Sequence, residues 1–132
     1  MGATIRVAVC DDARAVKYFL RHVLEEDGDI EVVSTASTGQ EGLVELAQCR
    51  PDVLLLDLVL PDVPEPAVLV RKIRASSPET AIVLISNMPQ FSLQKEAERL
   101  ETDGWMPKAA KPEQLRDAVR RASVRTAAPR SE

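Results

Sequence analysis

Asp57 closes a short apolar run, Val53-Leu54-Leu55-Leu56, and Leu-Val-Leu-Pro follows it. Such a run suits a parallel strand buried on both faces, with the carboxylate at its C-terminal end. A second run, Ile5-Arg6-Val7-Ala8-Val9-Cys10, ends in Asp11-Asp12. In open α/β sheets, ligands bind outside the carboxyl ends of the strands. Three carboxylates from two strand ends therefore aim at one spot, where like charges raise one another's pKa. At about 4 Å apart, two of them repel by roughly 4 kcal/mol at an effective dielectric of about 20. Hard oxygen ligands gathered in this way suit Mg²⁺, which takes one or two carboxylates and keeps several waters.

Two more polar features end predicted strands. Ser86-Asn87 follows a fourth strand, and Lys108 follows a fifth. A cation at Lys108 offsets the carboxylate charge. A hydroxyl and an ammonium on the far side are also what a phosphoryl group needs for its oxygens. Asp57 then has the surroundings of a nucleophile, as carboxylates have in aspartyl-phosphate chemistry.

The elements that must position these groups alternate strand and helix with short breaks. Strands are predicted over 5–10, 30–36, 52–56 and 81–86, with a short fifth strand beginning at Trp105-Met106. A helix over 13–26 carries Val16, Phe19, Leu20, Val23 and Leu24 as an inward stripe. Asp12 is its expected N-cap. Thr38 and Glu41 form a capping box for a second helix that turns Leu43, Leu46 and Ala47 inward. The segment 61–66 holds three prolines and reads as the loop after Asp57. Further helices are predicted over 66–76, 90–101 and 112–124. Five βα repeats imply an α/β fold, a doubly wound, flavodoxin-like (βα)5 sandwich of three layers. Its five-stranded parallel sheet is expected in the order 2-1-3-4-5. Residues 1–125 form one domain, and 126–132 form a flexible tail or the start of a linker.

Composition narrows the function classes. The 132 residues are 45% hydrophobic and 29% charged, an ordinary globular balance, with net charge −4. That balance argues against direct nucleic-acid binding through a broad basic face. No run is long enough to span a membrane and no secretory leader is evident, so the cytoplasm is the expected compartment. Cys10 and Cys49 lack CxxC spacing and read as small buried residues. His22 lies opposite the stripe of the first helix and reads as solvated. Arg14 reads as an ordinary first-turn residue.

Taken in order, these residues resemble the receiver domain of bacterial two-component response regulators, the CheY-like family. The resemblance spans about residues 4–124 and rests on Asp11-Asp12, Asp57 with Leu-Val-Leu-Pro, Ser86, and Trp105-Met106-Pro107-Lys108. It implies that a sensor histidine kinase or phosphotransfer protein donates a phosphoryl group to Asp57. It places Mg²⁺ on Asp12, Asp57 and the Val59 backbone carbonyl, with Asp11 acting through water. Ser86, Lys108 and the Asn87 backbone take the phosphoryl oxygens, and Trp105 holds the aromatic switch position. The surface of the fourth helix, fifth strand and fifth helix then changes, for an output partner, an effector domain of the same protein or a homodimer. Such a domain has no external turnover substrate.

The chain departs from that pattern in places. No glycine follows in the segment 62–66, Asn87 stands where a very small residue is usual, and Thr102-Asp103 replaces Gly-Ala. Ala109-Ala110-Lys111 separates Lys108 from Pro112. None of these removes a chemical group. Asn87 is expected to narrow access to Asp57 and to slow self-phosphorylation by small donors. An alternative function is a receiver-like interaction module that acts without phosphorylation. A flavin carrier is disfavoured, because Asp11-Asp12 repels a phosphate. A dehalogenase-type phosphatase is disfavoured because Val59 stands where it needs a second aspartate.

Overall fold

A computed structural model describes residues 4–127. Its strands are β1 (Ile5–Cys10), β2 (Ile30–Ala36), β3 (Val53–Asp57), β4 (Ala81–Ser86) and β5 (Gly104–Pro107). Its helices are α1 (Arg14–Leu24), α2 (Gly39–Cys49), α3 (Pro66–Ser76), α4 (Gln90–Leu100) and α5 (Pro112–Ala127). The strands pair in parallel in the order β2-β1-β3-β4-β5, as the βα alternation implies.

Successive strand residues face opposite sides of a sheet. Ala8, Cys10, Leu54, Leu56, Ile82 and Leu84 join one core, with Leu46 of α2, Ile73 of α3 and Leu93 of α4. Val7, Val9, Val53, Leu55, Val83 and Ile85 join the other, with Leu20 and Leu24 of α1 and Leu115 and Val119 of α5. Both faces are covered, which is why β3 and β4 are apolar runs without alternation.

The register sets the site. Cys10 pairs with Leu56, Asp57 with Ile85, and Ser86 with Pro107. The next residues along β1 and β5 are Asp11 and Lys108, so Asp11, Asp57, Ser86 and Lys108 emerge along one edge of the sheet.

Several local expectations are corrected. The N-cap of α1 is Ala13, with no side-chain capping bond. Asp12 therefore does not cap it. Instead the Ala13 N–H donates to Asp11 Oδ1 at 2.8 Å, and Asp12 stays exposed. Helix α1 also ends at Leu24, with Glu25 as its C-cap, and the Glu25 carboxylate accepts from the Val32 N–H at 2.9 Å. Phe19 lies at the border of its stripe and is 44% exposed. In α2, Ala47 is exposed. The close approach falls to Gly42, where an added Cβ would sit 3.1 Å from Cys10 Sγ. The capping box is shifted: Thr38 Oγ1 accepts from the Glu41 N–H, but Glu41 Oε1 accepts from Ser37. Cys10 is buried as expected, whereas Cys49 is only half-buried. Helix α5 runs to Ala127, beyond the expected end at 124, and residues 128–132 of the expected tail lie outside the described residues.

A charged cluster ties the α1–β2 turn to α5. Arg120 bonds Asp27, Asp29 and Asp117, and Arg116 reaches Asp27 and the Val23 carbonyl. The Arg120 guanidinium holds the Asp29 carboxyl below its ordinary range. The cluster is partly exposed, so its value is that of a screened surface network.

Candidate phosphoacceptor site

Asp57 ends β3 with 5% of its surface exposed, and Asp11 is fully buried. Asp12 is exposed at the rim. Ligand oxygens of Asp11, Asp12 and Asp57 lie within 4.8 Å of one another. Lys108 Nζ stands 2.7 Å from Asp11 Oδ2 and 3.3 Å from Asp57 Oδ2. The cation is thus shared by the two buried carboxylates.

The remaining oxygens are unequally served. Asp57 Oδ1 accepts from the Val59 N–H at 3.2 Å. Asp11 Oδ1 accepts from Ala13, as described. Asp11 Oδ2 meets the charge of Lys108 but has no well-directed hydrogen bond, and it is buried. Ser86 Oγ is buried and accepts from the Met88 N–H at 3.0 Å. That leaves the hydroxyl hydrogen available to another acceptor. The Ser86 carbonyl accepts from the Lys108 N–H at 3.0 Å, which ties the end of β5 to β4.

The electrostatics follow from burial and proximity. Burial pushes the Asp57 carboxyl above its ordinary pKa, and Asp11 adds to this. The Val59 N–H and Lys108 oppose the rise without cancelling it. For Lys108, burial disfavours the ammonium, but Asp11 and Asp57 outweigh it and raise the pKa. Cys10, one residue before Asp11, is pushed up to about 12, first by burial and then by Asp62, Asp57 and Asp11. A thiol held neutral is a poor nucleophile and a poor metal ligand, so Cys10 is structural.

These residues fit a divalent cation. Two buried carboxylates and a third at the rim supply hard oxygens, and the buried Asp11 Oδ2 faces the same cluster with Lys108 as its partner. Val59 is 70% exposed and its N–H donates to Asp57 Oδ1, so its backbone lies beside the site.

The matching profile is that of the response regulator receiver domain, over residues 7–120. The chain belongs to this family. Among solved structures, the signal receiver domain of NarL from Mycobacterium tuberculosis superposes with a TM-score of 0.83 at 25% identity. The match covers 93% of this chain and 98% of that one. The receiver domain of CheB from Thermotoga maritima shares the fold, with a TM-score of 0.80 at 22% identity over 92% and 97% of the two chains. The oxygen regulatory protein NreC of Staphylococcus aureus is 31% identical over 116 residues, 88% of this receiver and 54% of NreC. A protein-glutamate methylesterase/protein-glutamine glutaminase of a Nocardioides species is 36% identical over 86 residues, 65% of this receiver and 23% of that protein. The receiver thus spans about half the length of NreC and about a quarter of the methylesterase.

The expected site residues divide by position. Asp11, Asp12, Asp57 and Lys108 converge, with Ser86 beside them on β4. Asn87 is exposed after Ser86. Trp105 is half-buried against the α2–α4 core and lines a groove of about 1030 Å³ between α4, β5 and α5. His22 is exposed, as read from the sequence, and Arg14 is exposed in the first turn of α1. Asp62 escaped the sequence reading. It accepts two N–H bonds from α2, and its loop position gave no periodic signal. Among the described residues, no helix is long and apolar enough to cross a membrane.

Proposed function

We propose that this receiver is a phosphoacceptor, with Asp57 as the residue that takes the phosphoryl group. The observation that carries the reading is the buried Asp57 carboxylate beside Lys108, with two further carboxylates within reach. An Asp57 oxygen attacks the phosphorus of a histidine kinase's phosphohistidine. The P–N bond breaks, the imidazole leaves with its electron pair, and Asp57 becomes an acyl phosphate. Asp12, Asp57 and the Val59 carbonyl would hold Mg²⁺, with Asp11 supporting it from the second rank. When bound, the ion would supply neutralising charge to the phosphoryl oxygens. Lys108 moves from its carboxylate partners to one of those oxygens, and the Ser86 hydroxyl and Asn87 N–H donate to another. The Asn87 side chain, next to Ser86, narrows access to Asp57 and slows self-phosphorylation by small donors.

Transfer of Lys108 and Ser86 to the phosphoryl group draws β4 and β5 toward Asp57. Trp105 lies on β5 and shifts with them, altering the groove between α4, β5 and α5. That face engages an output partner, an effector domain or a second copy. The setting is the cytoplasm, and the receiver acts as one domain.

A second reading is a module that works without phosphorylation. It is favoured by Lys108, which already offsets part of the charge of Asp11 and Asp57. Titration with Mg²⁺, then addition of a phosphoryl mimic, separates the two. Trp105 is the one tryptophan, so its fluorescence reports the second step. Saturable Mg²⁺ binding followed by a fluorescence change is the expected result. Absence of Mg²⁺ binding favours the module, and binding with unchanged fluorescence contradicts the switch role of Trp105.

A further inference from the structure

The loop after Asp57 lacks a glycine, yet it turns sharply. Val63 N–H donates to the Leu60 carbonyl at 3.2 Å, and the two residues form an isolated antiparallel bridge. Beyond that internal bond, the turn is held from outside. Asp62 Oδ1 accepts from the Gly39 N–H at 2.8 Å, and Oδ2 accepts from the Gln40 N–H at 3.0 Å. Both donors open α2, where free N–H groups and the helix dipole favour a carboxylate. Those bonds hold the Asp62 carboxyl below its ordinary range. Val63 completes the contact. A Cβ built on Gly39 would lie 2.6 Å from Val63 Cγ2, so only a glycine lets the loop sit this close.

The same turn of α2 reaches the other side of the site. Cys10 Sγ donates to the Thr38 carbonyl at 3.3 Å, directly before Asp11. The start of α2 therefore touches the chain next to Asp11 and the loop that carries Val59. Leu58 and Leu60 bury on either side of Val59, and beyond them the loop is held by Asp62 and Val63.

We propose that Asp62 is a positioning residue for the metal site. It clamps the β3–α3 loop to α2 and so fixes the Val59 carbonyl relative to Asp12 and Asp57. The inference rests on the phosphoacceptor reading and on its metal site. Asp62 is exposed and touches none of the reacting atoms. Its removal therefore weakens metal binding while leaving the chemical groups in place.

The test is calorimetric titration of the metal-free protein with Mg²⁺, with urea unfolding as a check on folding. Asp62→Ala should raise the Mg²⁺ Kd about three- to tenfold, the range of couplings carried through a bound segment. Asp62→Asn keeps one acceptor and should fall between. Gly39→Ala should push Val63 away and raise the Kd in the same direction, and Gly39→Ala/Val63→Ala should restore it. Saturating Mg²⁺ should return phosphorylation of Asp62→Ala by acetyl phosphate to the wild-type rate. An unchanged Kd in Asp62→Ala overturns the proposal. So does a slow rate that excess Mg²⁺ leaves slow. Wild-type protein that binds no Mg²⁺ overturns both this role and the phosphoacceptor reading, whereas a normal wild type beside an unaffected Asp62→Ala overturns this role alone.

Discussion

Lys108→Met lowers the stability of the metal-free protein by about 1–3 kcal/mol, the cost of stranding buried polar groups. The side chain is 13% exposed and lies within 3.3 Å of oxygens from Asp11 and Asp57. Methionine fills similar space but leaves both carboxylates without their cation. Breaking a buried pair by removing one partner costs more than replacing the whole pair, because an uncompensated charge remains. Mg²⁺ restores part of the loss, since a ligand that binds only the folded state stabilises it. Urea unfolding with and without Mg²⁺ measures both effects. The Mg²⁺-induced gain should be larger in Lys108→Met than in wild type. Equal stability of the two metal-free proteins contradicts the account of Lys108 as the shared counter-charge.

Asp57→Asn has the opposite sign. Burial and Asp11 hold the folded Asp57 carboxyl above its ordinary value of 3.8. A carboxyl raised by folding binds more protons in the folded state than in the unfolded one. Its contribution to stability then falls as pH rises from the unfolded value through the folded one. Asparagine carries no such penalty, and Lys108 keeps Asp11 as a partner. Without metal, the advantage of Asp57→Asn should be absent below pH 3.8 and should grow as pH rises above it. Other carboxyls move the opposite way, Asp29 and Asp62 among them, so only the difference between the two proteins isolates Asp57. Added Mg²⁺ should shrink or reverse the gap, because the asparagine offers the ion a weaker ligand. Melting temperatures at stepped pH in the presence of a chelator provide the comparison. A gap that stays flat with pH, or a wild type more stable at neutral pH, contradicts the raised carboxyl.

Much of this was legible in the residues, for identifiable reasons. The runs at β3 and β4 announce strands covered on both faces, and the carboxylates that end β1 and β3 must then share an edge. The parallel order and the place of Asp11, Asp12, Asp57, Ser86 and Lys108 follow from that alternation. The misjudged details depend on contacts that a linear pattern does not carry. Asp12 resembles an N-cap by type and place, but Asp11 takes the Ala13 N–H because its side chain folds back at the strand end. Ala47 fits the inward period of α2, yet Gly42 makes the close approach to Cys10. Phe19 fits the stripe of α1 and lies at its border. Asp62 looked like one polar residue among prolines, because its partners Gly39 and Gln40 lie more than twenty residues away. Lys108 follows a predicted strand in the sequence, but its reach to both Asp11 and Asp57, closer to Asp11, needed the register of β5 on β4.

Intact mass after incubation with acetyl phosphate and Mg²⁺ tests the role of Asp57. Wild type should gain one phosphoryl group, and the gain should disappear with a chelator. Asp57→Ala should gain none while unfolding as cooperatively as wild type. A wild type that takes up no phosphoryl group, or an Asp57→Ala protein that takes up as much, contradicts the assignment of Asp57 as the phosphoacceptor.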